Sequence, residues 1–227
     1  MGKILALGRF FPMYDVILFD LDGTLTDPGE GITNSVAHAL EKFHIPVPER
    51  RELYKFIGPP LYQSFMEFYG LDREQALLAV DYYREYYRDR GIWENEVYAG
   101  IPALLAQLKA AGKRLVLATS KPEEFALQIL EHFELMPYFD LVAGSTMDSS
   151  RVKKADVITY ALEALKLEPG PSVVMVGDRE HDVLGAREAG LDCIGVLFGY
   201  GDEPELQTAG AVRIAATVEE LAGLLLG

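Results

Sequence analysis

Short apolar runs alternate with amphipathic stretches from residue 101 onward, and this alternation restricts the possible folds more than any other feature. The runs predict strands at 115–119, 141–144, 173–178 and 193–197. The stretches between them predict helices at 101–111, 123–133, 155–166 and 183–189, and the capping box beginning at Thr217 predicts a last helix. This repetition indicates an α/β fold with a parallel sheet and helices on both faces.

Residues 28–95 interrupt this rhythm, because they show helical periodicity alone. Helical segments are predicted at 32–43, 49–57 and 61–69, followed by a long amphipathic segment after Asp72. We therefore expect two domains: a core from residues 1–27 and 96–227, and an inserted all-helical domain from residues 28–95. A helical domain on two short connectors can act as a lid over the carboxyl end of a sheet.

The apolar run Val16–Phe19 ends on two acids, Asp20 and Asp22, which are followed directly by Gly23. Ligands of parallel sheets bind beyond the carboxyl ends of the strands, so these acids are placed where chemistry occurs. Alternation along an extended backbone would point both carboxylates to one side, and their repulsion indicates a hard cation between them. A simple Asp-Gly turn is the plain alternative. An EF-hand loop is excluded, because Leu25 occupies the position of its required glycine.

The later strand ends carry matching polar residues. Thr119, Ser120 and Lys121 follow one predicted strand, and either Lys153 or Lys154 can reach the same edge from the start of a helix. Hydroxyl groups and a helix start can hold an anion there. The acids Asp178 and Asp182 end another strand and begin the next helix, where both can face one cation. Together these residues indicate a site for a metal ion and a phosphate.

The net charge of −14 excludes several partner classes. Nucleic-acid polymers and anionic membrane surfaces require a basic patch, whereas a small anionic substrate needs only a local positive pocket. No apolar run is long enough for a membrane span and we recognise no signal peptide, so a cytoplasmic monomer or homodimer is expected. The one cysteine, Cys193, lies in an apolar run and is predicted to be a buried strand residue. No role is assigned to the first twelve residues.

The stretches Phe-Asp-Leu-Asp-Gly-Thr-Leu, Ala-Thr-Ser-Lys-Pro and Val-Gly-Asp-Arg-Glu-His-Asp resemble signature motifs of the haloacid dehalogenase (HAD) superfamily of aspartate-nucleophile phosphatases. The helical insertion resembles the small cap of its phosphoglycolate phosphatase-like subgroup. The resemblance implies a Rossmann-like core in which Asp20 is the nucleophile and Asp22 the general acid and base. It further implies phosphate ligands (Thr119, Ser120, Lys154, Gly23 and Thr24) and Mg²⁺ ligands (Asp20, Asp22, Asp178 and Asp182). Many relatives have asparagine where this chain has Ser120.

These residues predict a Mg²⁺-dependent phosphoric monoester hydrolase that forms an aspartyl-phosphate and acts on a small, phosphoglycolate-like metabolite. A 5'-nucleotidase on the same scaffold is one alternative. A phospho-accepting receiver-type switch is another, which the second acid and the lid-sized insertion disfavour. Four cations of the insertion, Arg50, Arg51, Lys55 and Arg84, could recognise a distal anionic group of the substrate, or could simply form a solvated face.

Overall fold

The computed structural model describes residues 14–147 and 150–227, so the first twelve residues lie outside the described part of the chain. The strands are β1 (Val16–Phe19), β2 (Thr26–Asp27), β3 (Glu96–Val97), β4 (Arg114–Pro122), β5 (Leu141–Ser145), β6 (Val173–Gly177), β7 (Asp192–Val196) and β8 (Arg213–Ala215). Six of them form one parallel sheet in the order β5-β4-β1-β6-β7-β8. The predicted α/β fold is confirmed.

Strand β1 lies at the point of the sheet where the order of successive strands reverses. From β1 the chain passes to β4 and β5 on one side, and then returns to β6, β7 and β8 on the other. A crevice forms beyond the carboxyl ends of the strands at such a switch point. Residues that directly follow β1 and β6 therefore meet at the same place.

The helices are α1 (Gly29–Lys42), α2 (Leu61–Tyr69), α3 (Arg73–Tyr86), α4 (Ile101–Ala110), α5 (Glu123–His132), α6 (Lys154–Leu165), α7 (Glu180–Glu188), α8 (Glu203–Ala209) and α9 (Val218–Leu226). Alternate residues of β1 belong to different apolar clusters, since Ile17 and Phe19 join one cluster and Val16 and Leu18 the other. Helices α4, α5 and α9 contribute to the first cluster, and α6 and α7 to the second. The sheet is thus covered on both faces.

The segment from residue 29 to residue 91 is helical and lies between two paired strands. It holds α1, a 3₁₀ helix (Arg50–Phe56), α2, α3 and a π-helix (Tyr87–Gly91). Strands β2 and β3 flank it and pair antiparallel, so its two connectors run side by side. Its aromatic residues pack internally, with the Phe56 ring 5.0 Å from that of Phe65 and 5.3 Å from that of Phe68. Its status as a separate domain stays a prediction.

Three features of the described fold differ from the sequence-based expectation. Helix α8 and strand β8 were not predicted. A three-residue edge strand that begins with exposed Arg213 gives no apolar run, and α8 has only seven residues. The segment predicted to be a helix at 49–57 is a 3₁₀ helix. Strand β4 extends beyond Thr119 to Pro122, with a shift in register against β5 after Ala118. Cys193 is buried in β7, as predicted.

Within the described residues, no helix combines the length and the apolar character that crossing a membrane requires.

Candidate active site

Three buried aspartates converge at the switch point of the sheet. Asp20 follows β1, Asp178 follows β6, and Asp182 lies in the first turn of α7; one carboxylate oxygen from each lies within 4.8 Å of the others. Burial and then the neighbouring carboxylates of Asp182 and Asp20 raise the pKa of Asp178 well above its ordinary value. Burial also raises the pKa of Asp182, against the opposing effect of Lys154. Buried carboxylates whose negative charges repel one another can bind a hard divalent cation such as Mg²⁺, which compensates those charges.

The backbone of the loop after β1 lies very close to the Asp178 carboxylate, and a glycine at position 23 permits this approach. Gly23 has a φ of +84°, and a Cβ there would lie 2.2 Å from Oδ2 of Asp178. The Thr24 hydroxyl lies within 3.5 Å of Oδ1 of Asp178, and the Tyr200 amide donates to its Oδ2 at 2.8 Å. The loop after β1 and the segment after β7 therefore both contact the Asp178 carboxylate.

Gly23 and Thr24, which the sequence predicts to bind phosphate, have their backbone N–H groups engaged within the loop after β1. The N–H of Gly23 donates to the Thr26 carbonyl at 2.8 Å, and the N–H of Thr24 donates to the Leu21 carbonyl at 3.2 Å. These two amides form the hydrogen bonds of the turn, because the backbone groups of a buried tight turn need hydrogen-bond partners. Their role in the structure is to shape the loop.

Lys154, the first residue of α6, is the cation beside the acids. Its Nζ lies 2.7 Å from Oδ1 of Asp20 and 2.7 Å from Oδ1 of Asp182, and it donates to the Ala118 carbonyl at 3.0 Å. Burial alone would lower the pKa of Lys154, but Asp182 and Asp20 raise it above its ordinary value. Lys153 is exposed, so of the two candidate lysines the structure places Lys154 at the site.

The end of β4 supplies hydroxyl groups and a second lysine. Thr119 is buried and, with Ser120, lines the cavity that contains Asp20. Lys121, to which the sequence analysis assigned no role, lies with its Nζ 2.7 Å from Oδ2 of Asp22 and 2.7 Å from the Tyr87 hydroxyl. The only sequence signal for this lysine is its position directly after the two hydroxyl residues at a strand end.

Asp22 lies apart from the group of three acids, in contrast to its predicted role as a metal ligand. Its Oδ2 contacts Lys121, and the carboxylates that could share one ion are those of Asp20, Asp178 and Asp182. Asp22 and Asp20 nevertheless line the same cavity. Burial raises the pKa of Asp22, while Lys121 opposes this shift. A carboxyl with a raised pKa suits proton transfer.

A cavity of about 430 Å³ joins the acids to the helical segment. Its walls are largely apolar or aromatic and include Phe56, Tyr83, Tyr87 and Phe125. Arg84 is the one predicted specificity cation among its lining residues.

The other three predicted specificity cations lie elsewhere. Arg50 contacts Glu30 at 3.6 Å and donates to Asn34 at 3.1 Å. Arg51 is exposed. Lys55 lies with its Nζ 4.6 Å from the centre of the Phe68 ring and lines a separate groove.

The geometry of a parallel α/β sheet with acids at its switch point and a lysine at a helix start defines a class of phosphoryl-transfer enzymes, and comparison with known proteins agrees. The family described as haloacid dehalogenase-like hydrolase matches residues 17–196. The chain belongs to this family and is a hydrolase, as predicted.

Several proteins are similar to this chain over most of its length. A 5'-nucleotidase of Pseudomonas aeruginosa is 45% identical over 212 residues, which are 93% of this chain and 96% of that protein. The tyrosine-protein kinase PtkA of Mycobacterium tuberculosis is 43% identical over 209 residues, or 91% of this chain and 70% of that protein. The crystal structure of a predicted phosphatase from Clostridium acetobutylicum has a TM-score of 0.92 and 51% identity, covering 94% of this chain and 99% of that one.

Proposed function

We propose that the protein is a Mg²⁺-dependent phosphomonoesterase that acts on a small phosphorylated metabolite through an aspartyl-phosphate on Asp20. The observation that carries this proposal is the placement of Asp20, whose carboxylate meets both a buried lysine and two further buried acids at the carboxyl end of the sheet. Asp20, Asp178 and Asp182 would hold the ion. When bound, Mg²⁺ would neutralise phosphate oxygens and align the ester with the nucleophile.

The side chains of the site divide the chemistry among them. Asp20 attacks phosphorus in line, and the ester oxygen leaves as the P–O bond breaks. Lys154 neutralises charge on the transferred group, and the Thr119 and Ser120 hydroxyls, which line the same cavity, donate hydrogen bonds to its oxygens. Asp22 gives its proton to the leaving oxygen and then takes one from the water that hydrolyses the aspartyl-phosphate.

The cavity supports a small, partly apolar leaving group with a polar end. Residues of α3 form one side of the cavity, where Arg84 provides a cation and Asp81 an acid beside apolar and aromatic side chains. A compact phosphomonoester fits such a space, whereas a phosphate on a folded protein surface does not. We infer that the substrate is a small molecule.

A 5'-nucleotidase is the second candidate, and two observations favour it. The rings of Tyr83 and Tyr87 stack with their centres 5.3 Å apart at the cavity wall, and flat aromatic groups bind well beside such rings. The relative from Pseudomonas aeruginosa described above carries that name. The receiver-type switch is disfavoured, because Asp22 as a general base would activate water and so end the phosphorylated state.

A cytoplasmic location fits the one cysteine, Cys193, which is a buried free thiol rather than part of a disulfide.

The test is a panel of phosphomonoesters, including nucleoside 5'-monophosphates and phosphorylated carboxylic acids, with Mg²⁺ present or removed by chelator. Turnover should require Mg²⁺. Asp20→Asn should lower it by at least about 10³-fold, since the amide is not a nucleophile. Asp15→Asn is the matched control, because Asp15 is an exposed acid directly before β1. Full activity of the Asp20→Asn protein would disprove the assignment.

A further inference from the structure

Lys121 is a buried cation that joins Asp22 to the helical segment. The residue is 8% exposed although it lies at the end of β4. Its Nζ contacts Oδ2 of Asp22 at 2.7 Å and donates to the Tyr87 hydroxyl at 2.7 Å. Tyr87 begins the π-helix that ends the helical segment. One ammonium group therefore links the loop after β1 with the wall of the cavity.

The two carboxylate oxygens of Asp22 have different surroundings. Oδ2 is held by Lys121, whereas Oδ1 is buried and makes no hydrogen bond within the described part of the chain. Asp22 lines the cavity that also contains Asp20. A buried oxygen without a partner is costly, so its retention indicates that a substrate atom or water pairs with it during function.

We propose that Lys121 is a positioning residue: it fixes Asp22 so that Oδ1 faces the reacting oxygen, and its bond to Tyr87 makes this position depend on the docking of the helical segment. The inference rests on the proposed function, because it concerns the proton that Asp22 gives to the leaving group. In that step a carboxylate oxygen of Asp20 bonds to phosphorus as the ester P–O bond breaks, the proton moves from Asp22 to the ester oxygen, and Lys121 keeps its own hydrogens.

A comparison of leaving groups tests this role. 4-Nitrophenolate leaves as a stable anion and needs little protonation, whereas an alkoxide must be protonated as it leaves. The specificity constant kcat/KM reports the first phosphoryl transfer, so it isolates this step from the later hydrolysis. Lys121→Met should lower kcat/KM for the alkyl phosphate that the native protein hydrolyses best at least about tenfold more than for 4-nitrophenyl phosphate. Asp22→Asn should show the same inequality.

Two further variants separate positioning from stability. Lys113→Met is the matched control, because Lys113 is 7% exposed and lies just before the opposite end of β4; it should change both esters equally. Tyr87→Phe keeps the ring and removes only the hydroxyl. It should show the alkyl-selective loss in weaker form, and should add nothing to the loss caused by Lys121→Met. Circular dichroism spectra should be recorded to check that each variant is folded.

The outcomes are distinct. Equal losses on the two esters for both Lys121→Met and Tyr87→Phe would overturn the positioning role while the phosphatase assignment stands. Additive losses in the double variant would overturn the link through Tyr87. Absence of turnover of every ester by the native protein with Mg²⁺ would overturn the proposed function and the positioning role with it.

Discussion

At the scale of single residues, the site combines several buried negative charges with a few buried cations. Lys154 contacts Asp20 and Asp182, and Lys121 contacts Asp22. A buried charge is stable only when it is paired and hydrogen-bonded, so each contact constrains where its carboxylate can point. Replacement of any one partner should therefore change geometry as well as charge.

Lys154→Ala should depress kcat/KM for all phosphomonoesters alike. Removal of one preorganised donor to the transferred group costs about 10²–10³-fold, independent of the leaving group. Lys153→Ala is the matched control, because Lys153 is the exposed neighbour of Lys154 and should leave the rate unchanged. Steady-state kinetics on the ester panel checks this, and an equal loss in both variants would contradict the assignment of Lys154.

Gly23→Ala should abolish activity and destabilise the fold, because the added Cβ would lie 2.2 Å from Asp178 Oδ2 at a φ of +84°. Gly112→Ala separates the two causes: Gly112 has a φ of +77°, but a Cβ added there would meet no atom within 4 Å. Both variants should lose about 1–2 kcal/mol from left-handed backbone strain, and only Gly23→Ala should also lose turnover. Chemical denaturation and kinetics measure the two effects, and an active Gly23→Ala protein would contradict the close approach.

The convergence of site residues was predictable where a motif and a strand end coincide, as for Asp20 and Asp178. Lys121 was not, because the partner that gives it meaning, Tyr87, is distant in sequence and meets it only in the tertiary structure. The contact of Lys121 with Asp22 is also a tertiary one, so nothing in the sequence indicated it.

At the scale of elements, α3 presents one face to the cavity. Leu77, Val80, Asp81 and Arg84 line it at spacings of three and four residues, which places them on the same side of the helix. The sequence alone did not show that Arg84 lines the cavity, since Arg50, Arg51 and Lys55 are cations of the same insertion. The tertiary packing of the insertion, in which α3 contacts α1 and α2, decides which of the four lines the cavity.

Arg84→Ala should therefore lower kcat/KM for esters with an anionic leaving group about 10- to 100-fold more than for neutral ones, the usual range for a lost charge-assisted hydrogen bond. Arg88→Ala, at an exposed position one turn later, is the control and should affect neither class. Competition between paired substrates in one reaction measures the ratio directly. An unchanged ratio in the Arg84→Ala protein would assign that guanidinium to the solvated surface.

Elements with strong internal patterns were predicted well, and those fixed by their neighbours were not. The central strands are apolar because both faces are covered, so their sequences identify them. Among the described strands, β8 pairs only with β7, and its three residues take their conformation from that partner. Arg179, which reaches across to donate to the Ile57 carbonyl at 2.7 Å, is likewise a contact between elements that local sequence does not encode.

At the scale of the whole molecule, the buried acids should make the stability of the fold depend on pH and, if they bind an ion, on metal. Burial raises the pKa values of Asp22, Asp178 and Asp182 in the folded protein. A carboxyl whose pKa is raised in the folded protein binds its proton more tightly there than in the unfolded chain. The stability that this proton confers is lost progressively as pH rises from about 4, the pKa of the carboxyl in the unfolded chain, through its pKa in the folded protein. The raised pKa of Lys154 acts in a different window, above about pH 10.4.

The metal-free protein should thus unfold at a lower temperature at about pH 8 than at about pH 5.5. Mg²⁺ should remove this difference, because it binds the deprotonated acids of the folded form; a concentration of 100 times Kd adds about 2.7 kcal/mol. Asp178→Asn should flatten the pH dependence and abolish the effect of Mg²⁺, whereas Asp15→Asn should preserve both. Thermal melts followed by circular dichroism, with chelator or Mg²⁺, measure this. If Tm in chelator is constant across this range and Mg²⁺ leaves it unchanged, Asp20, Asp178 and Asp182 do not form a metal site.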